Sequence, residues 1–298
     1  MIKELLFDKQ YDEKIVIALG FFDCIHIAHI ELLKKAKEIA DRFGAKLCMF
    51  TFRSDKTGIL YGNEGSVLTY EERLQKAERL GVDCVLFADF DERFMNISAN
   101  DFIFKILNSF EVKGIVCGFD YTFGKNAEGN SKTIEEIAQK NGIVFEVIKK
   151  REFCNKKIST TDIKILLKGG EIKIANVFLA EPYFISGDVV EGRKVGRKIG
   201  FPTANILKNI EKMPIKYGVY KTFTYIDGKV YKGITNFGNA PTFNANKMLF
   251  ETHIDGFSGN LYGKRLTIYF EDYLRPIEKF SSVDELKNRL TKDLESIR

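Results

Sequence analysis

The sequence is poor in the residues from which disulfide frameworks and metal centres are usually built. Its 298 residues include only five cysteines and three histidines. The cysteines are widely spaced, odd in number and never arranged as C-x-x-C. Most lie in apolar runs, so we expect buried, reduced thiols rather than disulfide bonds or a zinc–thiolate site. The five are Cys24, Cys48, Cys84, Cys117 and Cys154.

Long apolar runs and dense basic patches are also missing. No stretch approaches the roughly 20 apolar residues of a membrane span, and the first ten residues, "MIKELLFDKQ", contain no signal-peptide core. The formal net charge is only +5 and the lysines are dispersed, which weakly favours anionic ligands but not nucleic acid. We therefore expect a cytoplasmic protein without membrane or nucleic-acid partners. The oligomeric state is left open.

The first half of the chain alternates strand-like and helix-like segments. Five β-rich runs, "KIVIALGF", "AKLCMFTF", "VDCVLFADF", "VKGIVCGFD" and "IVFEVIKK", are separated by runs with helical periodicity. Thr69 followed by Glu72 is a capping-box pattern at the start of one such helix. Strict β/α alternation predicts an α/β domain with a parallel, Rossmann-like sheet and helices on both faces. In such sheets ligands bind beyond the carboxyl ends of the strands.

The second half has a different pattern. Beyond Tyr183, short β-rich runs are separated by glycine-containing turns, and Asp227-Gly228 is a hairpin signal. One further helix is indicated at the C-terminus, capped by Ser281 or Ser282. This pattern predicts an antiparallel β-barrel closed by a helix. We expect two domains, residues 1–180 and 181–298, with two short helices in "ISTTDIKILLKGGEIKIANVFLA" near the boundary.

Two of the three histidines lie in "GFFDCIHIAH", residues 20–29, between the first predicted strand and the first predicted helix. Free amide groups and the positive dipole end at a helix N-terminus attract anions, and imidazoles there add donors to phosphate oxygens. A zinc site needs a third ligand, the glutamate of H-E-x-x-H is missing, and His253 belongs to the other half. Position alone favours phosphate binding and leaves metal binding or a structural role open.

Ordered motifs along nearly the whole chain resemble those of the bacterial bifunctional riboflavin kinase/FMN adenylyltransferases. "ALGFFDCIHIAHIELL" is similar to the family's G-x-F-D-G-x-H-x-G-H signature, "VCGFDYTFG" to its G-x-D-F-x-F-G loop and "ISTTDIK" to its I-S-S-T-x-I-R motif. "GRKVGRKIGFPTANI" resembles G-R-x-L-G-F-P-T-A-N, and "NFGNAPTF", "FETHIDGFSGNLYGK" and "LRPIEKF" follow in family order. The resemblance implies two ATP-dependent reactions, from riboflavin to FMN and from FMN to FAD.

The resemblance implies that the C-terminal barrel is a riboflavin kinase. Thr203 and Asn205 of "FPTAN" would hold Mg²⁺ and the phosphates of ATP, and Glu251 of "FETHI" would accept the proton of the ribityl 5′-hydroxyl. These residue types suit the chemistry, because Mg²⁺ prefers hard oxygen ligands and a base must reach the nucleophile. A basic, glycine-rich loop would cover the phosphates; it contains Gly192, Arg193, Lys194, Gly196, Arg197, Lys198 and Gly200.

For the N-terminal half the resemblance implies an FMN adenylyltransferase. His26 and His29 would bind ATP phosphates and stabilise charge at the α-phosphorus, and Asp120 would face the nucleotide or its Mg²⁺. Asp23 would order the turn through hydrogen bonds to backbone amides. The remaining residues implied in phosphate binding are Ser159, Thr160, Thr161 and Lys164.

Several positions of this half depart from the family pattern. Cys24 and Ala28 replace glycines, Asp55 stands where the family has a histidine, and Lys164 replaces an arginine. A glycine next to a nucleotide usually permits close backbone approach, and lysine does not reproduce a bidentate arginine contact. Two hypotheses therefore follow: a bifunctional FAD-forming enzyme, or a riboflavin kinase whose N-terminal half is weak or regulatory. A flavin-binding protein without turnover is a third class, which the complete "FPTAN" motif and Glu251 disfavour.

Overall fold

The structure is a computed structural model that describes residues 2–55, 57–60, 64–149, 152–153, 156–192, 195–239 and 248–298. At residues 55, 152–153, 156–157 and 195 it describes the backbone. The chain forms two compact units, Met1–Thr160 and Thr161–Arg298. The domain boundary at residues 180/181 stays a prediction. Within the described part of the chain, no helix is both long and apolar enough to cross a membrane.

The first unit is built on a six-stranded parallel sheet with the strand order β1-β4-β3-β2-β5-β6. The five predicted strands are confirmed. The sixth, β1, is an edge strand that pairs with β4 and was not predicted from the sequence. The strands are β1 (Lys3–Leu6), β2 (Lys14–Leu19), β3 (Lys46–Asp55), β4 (Cys84–Phe90), β5 (Glu111–Gly118) and β6 (Val144–Ile148).

The helices of this unit begin and end where the sequence supplies capping groups. Thr69 and Glu72 form the predicted capping box at the start of the helix that begins at Tyr70. Ser98 caps the helix that begins at Ala99, because its side chain accepts a hydrogen bond from the Asp101 amide. Gly44 ends the first helix with a φ of 58°. The helices are α1 (Ile27–Phe43), α2 (Tyr70–Arg79), α3 (Glu92–Met95), α4 (Ala99–Ser109) and α5 (Ser131–Lys140). Two short antiparallel strands, β7 (Glu152–Phe153) and β8 (Lys156–Lys157), follow.

Both faces of the sheet are covered, as the continuous apolar character of β2 predicts for a parallel sheet. Ile15, Ile17 and Leu19 face one core, which includes apolar residues of α4 and α5. Val16 and Ala18 face a second core, formed with α1 and α2. Successive side chains of a strand point to opposite faces, so the six residues of β2 contribute to both cores. The carboxyl end of β2 leads into the loop that follows.

The second unit contains a closed six-stranded barrel with the cyclic order β10-β13-β12-β11-β14-β9. Its described residues also form two helices before the barrel, a short helix before β10 and a C-terminal helix. The predicted barrel, the two short helices and the closing helix are confirmed. The helices are α6 (Thr160–Gly169), whose first residue belongs to the first unit, α7 (Ile172–Leu179), α8 (Val195–Lys198) and α9 (Val283–Ile297). The strands are β9 (Tyr183–Val190), β10 (Thr203–Leu207), β11 (Gly218–Ile226), β12 (Lys229–Asn239), β13 (Met248–Ile254) and β14 (Arg265–Arg275).

Local chemistry explains the barrel's turns and its closing helix. Asp227 and Gly228 have φ values of 50° and 76° between β11 and β12, as a tight hairpin turn requires. Ser282 caps α9 by accepting from the Glu285 amide. Near the other end of α9, the Arg275 guanidinium of β14 donates to both carboxylate oxygens of Asp293 at 2.7–3.2 Å, with both side chains buried. This ion pair fixes α9 against the barrel.

Candidate functional sites

The first candidate site lies where the order of the parallel sheet reverses. From β2 the chain proceeds to β3 and β4 on one side, whereas β5 lies on the other side of β2 and leads to β6. Leu19 and Cys117, near the ends of β2 and β5, are paired. Ligands of open α/β sheets bind at such a switch point. The segment 20–26 leaves β2 here, and Asp120 is exposed just beyond the end of β5.

The loop formed by residues 20–26 is tightly folded. Phe22 and Ile25 have positive φ values of 54° and 46°, which is uncommon for bulky side chains. A Cβ atom at Gly20 would lie 2.9 Å from the ring of Phe22, so glycine is needed for this close approach. Asp23 is fully buried and its Oδ1 accepts a hydrogen bond from the Val67 amide at 2.9 Å. The loop is therefore tied to the segment that precedes α2.

The last residue of this loop, His26, and His29 of helix α1 are brought together by the first turn of the helix. His26 is the N-cap residue, and the rings of His26 and His29 stack with centroids 3.9 Å apart and planes inclined by 10°. Nδ1 of His29 is buried without a hydrogen-bond partner among the described residues. Desolvation, followed by the nearby charges of His26 and Lys76, lowers the pKa of His29 well below its ordinary value. The neutral form of His29 is therefore favoured in this stacked pair, which lies where the chain leaves β2.

Cys24 connects this loop to the "ISTTDIK" segment. Its Sγ lies 3.4 Å from Oγ1 of Thr160, and the side chain is fully buried. Burial, reinforced by the negative charge of Asp23, raises the pKa of the Cys24 thiol to about 12. Ser159 is half-buried just before Thr160. The structure therefore brings Thr160 against the loop, and the role of Ser159 and Thr160 in phosphate binding stays a prediction.

The other two residues of this motif lie on α6, beyond Thr160. Thr161 is exposed and Lys164 is half-buried. Ala28 occupies the first turn of α1, which begins at Ile27, and alanine suits helical backbone better than glycine by about 1 kcal/mol. The departures at Cys24 and Ala28 are thus accommodated by the fold itself. Of Asp55 the structure describes the backbone, at the end of β3.

Two buried cations near the loop were missed by sequence reasoning. Nη1 of Arg73, on α2, donates to Oγ1 of Thr51 at 2.8 Å, and Thr51 in turn donates to the carbonyl oxygen of Phe21 at 2.9 Å. Lys76 is buried on the same helix, and its charge lowers the pKa values of both Cys24 and His29. The sequence contained a signal for these buried cations, because both fall on the face of α2 that also contains the buried Ala77.

The second candidate site lies on three neighbouring barrel strands. Asn205 of β10 and Asn236 of β12 are both in register with Glu251 of β13. The Asn236 side-chain amide donates to Oε2 of Glu251 at 3.2 Å, and the Thr203 hydroxyl donates to Oδ1 of Asn205 at 3.3 Å. Three predicted residues, Thr203, Asn205 and Glu251, are therefore brought together. Asn236 was not singled out, although it opens the "NFGNAPTF" motif.

The glycine-rich segment before β10 contacts this site. A Cβ atom at Gly192 would lie 2.2 Å from Nδ2 of Asn205, and one at Gly196 would lie 2.2 Å from the carbonyl oxygen of Phe201. Gly200 has a φ of 87°, which favours glycine. Arg197 and Lys198 are exposed on α8. Arg193 and Lys194, also predicted to form the basic loop, lie outside the described residues.

The third histidine supports the "FPTAN" turn. Nδ1 of His253 lies 2.9 Å from the carbonyl oxygen of Pro202, and its ring packs against Phe201 with centroids 5.2 Å apart. Phe201 in turn packs on the cluster formed by Val219, Ile234, Leu294 and Ile297. The C-terminal helix α9, which supplies two of these four residues, thus supports the turn that presents Thr203. The sequence alone placed His253 in the second half without a role.

Two family models match the chain, one in each half. The FAD synthetase model matches residues 8–162 and the riboflavin kinase model matches residues 179–298. The first matched segment contains the histidine loop, and the second contains Thr203, Asn205 and Glu251. The order of the two matches along the chain is the order in which the two candidate sites occur.

Similar proteins match over nearly their whole lengths. The bifunctional riboflavin kinase/FMN adenylyltransferase of Bacillus subtilis is 33% identical over 292 residues, covering 96% of this chain and 92% of that protein. The protein of the same name from Listeria monocytogenes is 34% identical over 297 residues, covering 98% and 94%.

A solved structure of a Streptococcus pneumoniae protein named a macrolide-efflux protein has a TM-score of 0.88 and 30% identity, covering 100% of this chain and 99% of that one. The likeness extends over both units, so a second protein also contains both a parallel sheet and a barrel of this kind. Given the two family models and the relatives matched across both units, the chain belongs to the family of bifunctional riboflavin kinase/FMN adenylyltransferases.

Proposed function

We infer that the protein makes FAD from riboflavin in two ATP-dependent steps. One observation carries this inference: one chain contains both family matches, and each covers a half with its own candidate site. We assign adenylyl transfer to residues 1–180 and phosphoryl transfer to residues 181–298. ATP is the co-substrate of both steps, riboflavin and FMN are the acceptors, and FAD is the final product. A cytoplasmic location remains a prediction from the sequence.

In the phosphoryl-transfer step, Glu251 accepts the proton of the ribityl 5′-hydroxyl while that oxygen attacks the γ-phosphorus of ATP, giving FMN and ADP. The hydrogen bond from Asn236 orients the carboxylate. A base within hydrogen-bond reach contributes about 10²–10⁴ in rate. The remaining barrier is lowered mainly by positioning and charge neutralisation, which we assign to the phosphate-covering segment with Gly192, Gly196, Arg197 and Gly200.

The residues around Glu251 fit a magnesium ion. The hydroxyl of Thr203 and the amide oxygen of Asn205 are hard oxygen donors within hydrogen-bond distance of each other, and Mg²⁺ prefers such ligands. Gly192 leaves the Asn205 side chain space that a Cβ atom would fill. We propose that Thr203 and Asn205 hold Mg²⁺, which when bound neutralises the negative charge of the ATP phosphates.

In the adenylyl-transfer step, a phosphate oxygen of FMN attacks the α-phosphorus of ATP and pyrophosphate leaves. His26 and His29 bind the phosphates at the switch point and stabilise the charge that develops on the α-phosphoryl oxygens, an electrostatic role that needs no covalent intermediate. Asp23 holds the loop through the Val67 amide. We assign Asp120 to the nucleotide, and Ser159, Thr160, Thr161 and Lys164 to its phosphates.

Product analysis tests this function directly. The purified chain is incubated with riboflavin, ATP and Mg²⁺, and the flavins are resolved by HPLC over time. We expect FMN to appear first and FAD to follow. A second reaction starts from FMN, so that FAD and pyrophosphate formation are measured without the kinase step.

The two reactions separate the hypotheses. FMN without FAD in either reaction would support a riboflavin kinase with a weak or regulatory N-terminal half, which the departures at Cys24 and Ala28 motivate. Absence of both products would contradict the enzymatic function altogether. Omitting Mg²⁺ or adding EDTA should abolish FMN formation if Thr203 and Asn205 bind the ion as proposed.

A further inference from the structure

Three potential metal ligands converge where the loop after β2 meets the first turn of α1. One ligand atom each from Cys24, His26 and His29 lies within 4.8 Å of the other two. Cys24 and His26 are buried, and His29 is partly exposed at the edge of the group. The sequence analysis found no third ligand for the histidine pair, because the glutamate of H-E-x-x-H is missing and His253 belongs to the other half, and it predicted only a buried thiol at Cys24.

The donor set selects the kind of ion. One sulfur and two imidazole nitrogens suit zinc and related thiophilic ions far better than Mg²⁺ or Ca²⁺, which prefer oxygen. Ligand atoms around one tetrahedral zinc ion lie about 3.4–3.6 Å apart, so the group must contract by roughly 1 Å. One imidazole must also rotate out of the stack so that both nitrogen lone pairs point at the ion; the partly exposed His29 ring can do so about its Cβ–Cγ bond.

A buried ligand nitrogen favours coordination of a cation by this group. The charges of Asp23 and Lys76 act on Cys24 with opposite signs, so they oppose each other. Nδ1 of His29 is buried without a hydrogen-bond partner among the described residues, so coordination would satisfy a nitrogen that pairs with nothing described in the chain.

We propose that Cys24, His26 and His29 form a three-ligand site for Zn²⁺, and that zinc bound there blocks the adenylyl-transfer step by competing with ATP phosphates for the two histidines. The fourth position of the ion is open to water. Binding of the ion depends on these side chains alone, whereas inhibition of FAD formation rests on the proposed function. Phosphoryl transfer uses the other unit and is unaffected by occupancy of this site.

Cobalt binding tests the site without reference to activity. Co²⁺ is titrated into the full-length apoprotein, and thiolate-to-cobalt charge-transfer absorption is recorded for the wild type, Cys24→Ser and Cys84→Ser. Cys84 is an equally buried free cysteine in β4 and serves as the matched control. We expect the absorption band with one Co²⁺ per chain in the wild type and Cys84→Ser, displaced by Zn²⁺, and its loss in Cys24→Ser. A wild type without the band, or a Cys24→Ser variant that keeps it, overturns the site.

Zinc inhibition tests the consequence. FAD formation from FMN and FMN formation from riboflavin are measured at increasing Zn²⁺ with Mg²⁺ in excess. In the wild type, zinc should inhibit FAD formation selectively, and raising ATP should relieve it; the half-inhibitory zinc concentration should rise at least about tenfold in Cys24→Ser. Equal inhibition of the wild type and Cys24→Ser, or equal inhibition of FAD formation and FMN formation, contradicts the proposed competition. If the protein makes no FAD at all, the proposed function fails while the cobalt spectra still decide the metal site.

Discussion

The two candidate sites are built on different kinds of scaffold. In the first unit His26 and His29 lie where a loop at the carboxyl edge of a parallel sheet leads into α1, and side chains from β3 and α2 hold that loop. In the second unit Asn205, Glu251 and Asn236 lie on adjacent strands in fixed register. Strand register leaves little freedom to the second site, whereas the loop accommodates Cys24, and the first turn of α1 accommodates Ala28, at two positions where the motif that the chain resembles has glycine. The difference predicts separable responses to substitution.

The largest expected effect comes from a substitution in the barrel that should greatly reduce FMN formation but not FAD formation. Glu251→Gln removes the proton acceptor but keeps the size of the side chain, so FMN formation should fall by about 10²–10⁴. FAD formation from supplied FMN should stay at the wild-type level. Glu271→Gln is a matched control, because Glu271 is a half-exposed barrel glutamate that pairs with Lys221 at 3.4 Å. A loss of both activities in Glu251→Gln would contradict independent sites.

The reciprocal substitution in the loop is His29→Asn. Removing one imidazole from the stacked pair should reduce FAD formation from FMN by about 10²–10³, the usual effect of losing one electrostatic stabiliser. The rate of FMN formation by the same preparation provides the internal control for folding. Wild-type FAD formation in this variant would show that the histidine loop is not the adenylyl-transfer site.

A stability measurement sharpens the contrast between the scaffolds. Asp293→Asn leaves the buried Arg275 guanidinium without its charged partner on α9, and breaking such a pair costs about 3 kcal/mol. When denaturant unfolding is monitored by the rate of FMN formation, the second unit should show this loss of stability. When it is monitored by FAD formation from FMN, the loss should be smaller. Asp255→Asn disrupts the more exposed pair with Arg298 and should cost less than about 1 kcal/mol. Similar losses in both variants would mean that α9 is not held by the buried pair.

A smaller effect is expected where a glycine permits close approach. In Gly192→Ala the new methyl group would displace the Asn205 side chain, from which it would lie only 2.2 Å. We expect the KM for Mg-ATP in FMN formation to rise about tenfold, equivalent to about 1.4 kcal/mol, with a smaller change in kcat. Gly169→Ala is the control, since the nearest atom to its Cβ would be 3.8 Å away. An unchanged KM in Gly192→Ala would exclude a tight Gly192–Asn205 contact in the working enzyme.

The smallest effect concerns pH. Because the folded protein lowers the pKa of His29, the unfolded chain binds this proton first as the pH falls. The contribution of neutral His29 is therefore complete above about pH 6.5 and is lost as the pH falls towards the lower folded-state pKa, with a slope of at most about 1.4 kcal/mol per pH unit. Melting of His29→Gln between pH 7 and 5 should show a weaker dependence than the wild type. Parallel curves would contradict a neutral, desolvated imidazole.

Much of the fold could be predicted from local patterns. The capping box at Thr69, the hairpin at Asp227-Gly228 and the cap at Ser282 involve residues a few positions apart, so the sequence contains the complete interaction. The edge strand β1 escaped prediction because it has only four residues, of which only Leu5 is buried. Its partner β4 lies some 80 residues further along the chain, and pairing at that distance leaves no local signal.

By itself, the sequence determined the two-part architecture, the motif residues and the family, because periodicity, caps and motif spacing are local properties of the chain. Tertiary structure alone decided which distant side chains meet. It placed Cys24 against Thr160 and His253 against the "FPTAN" turn. It also linked Arg73 to the loop through Thr51, which hydrogen-bonds to both. These contacts arise from burial and from strand register across the chain. For that reason the cysteine that looked like an isolated substitution in the sequence became the third member of a cluster with His26 and His29.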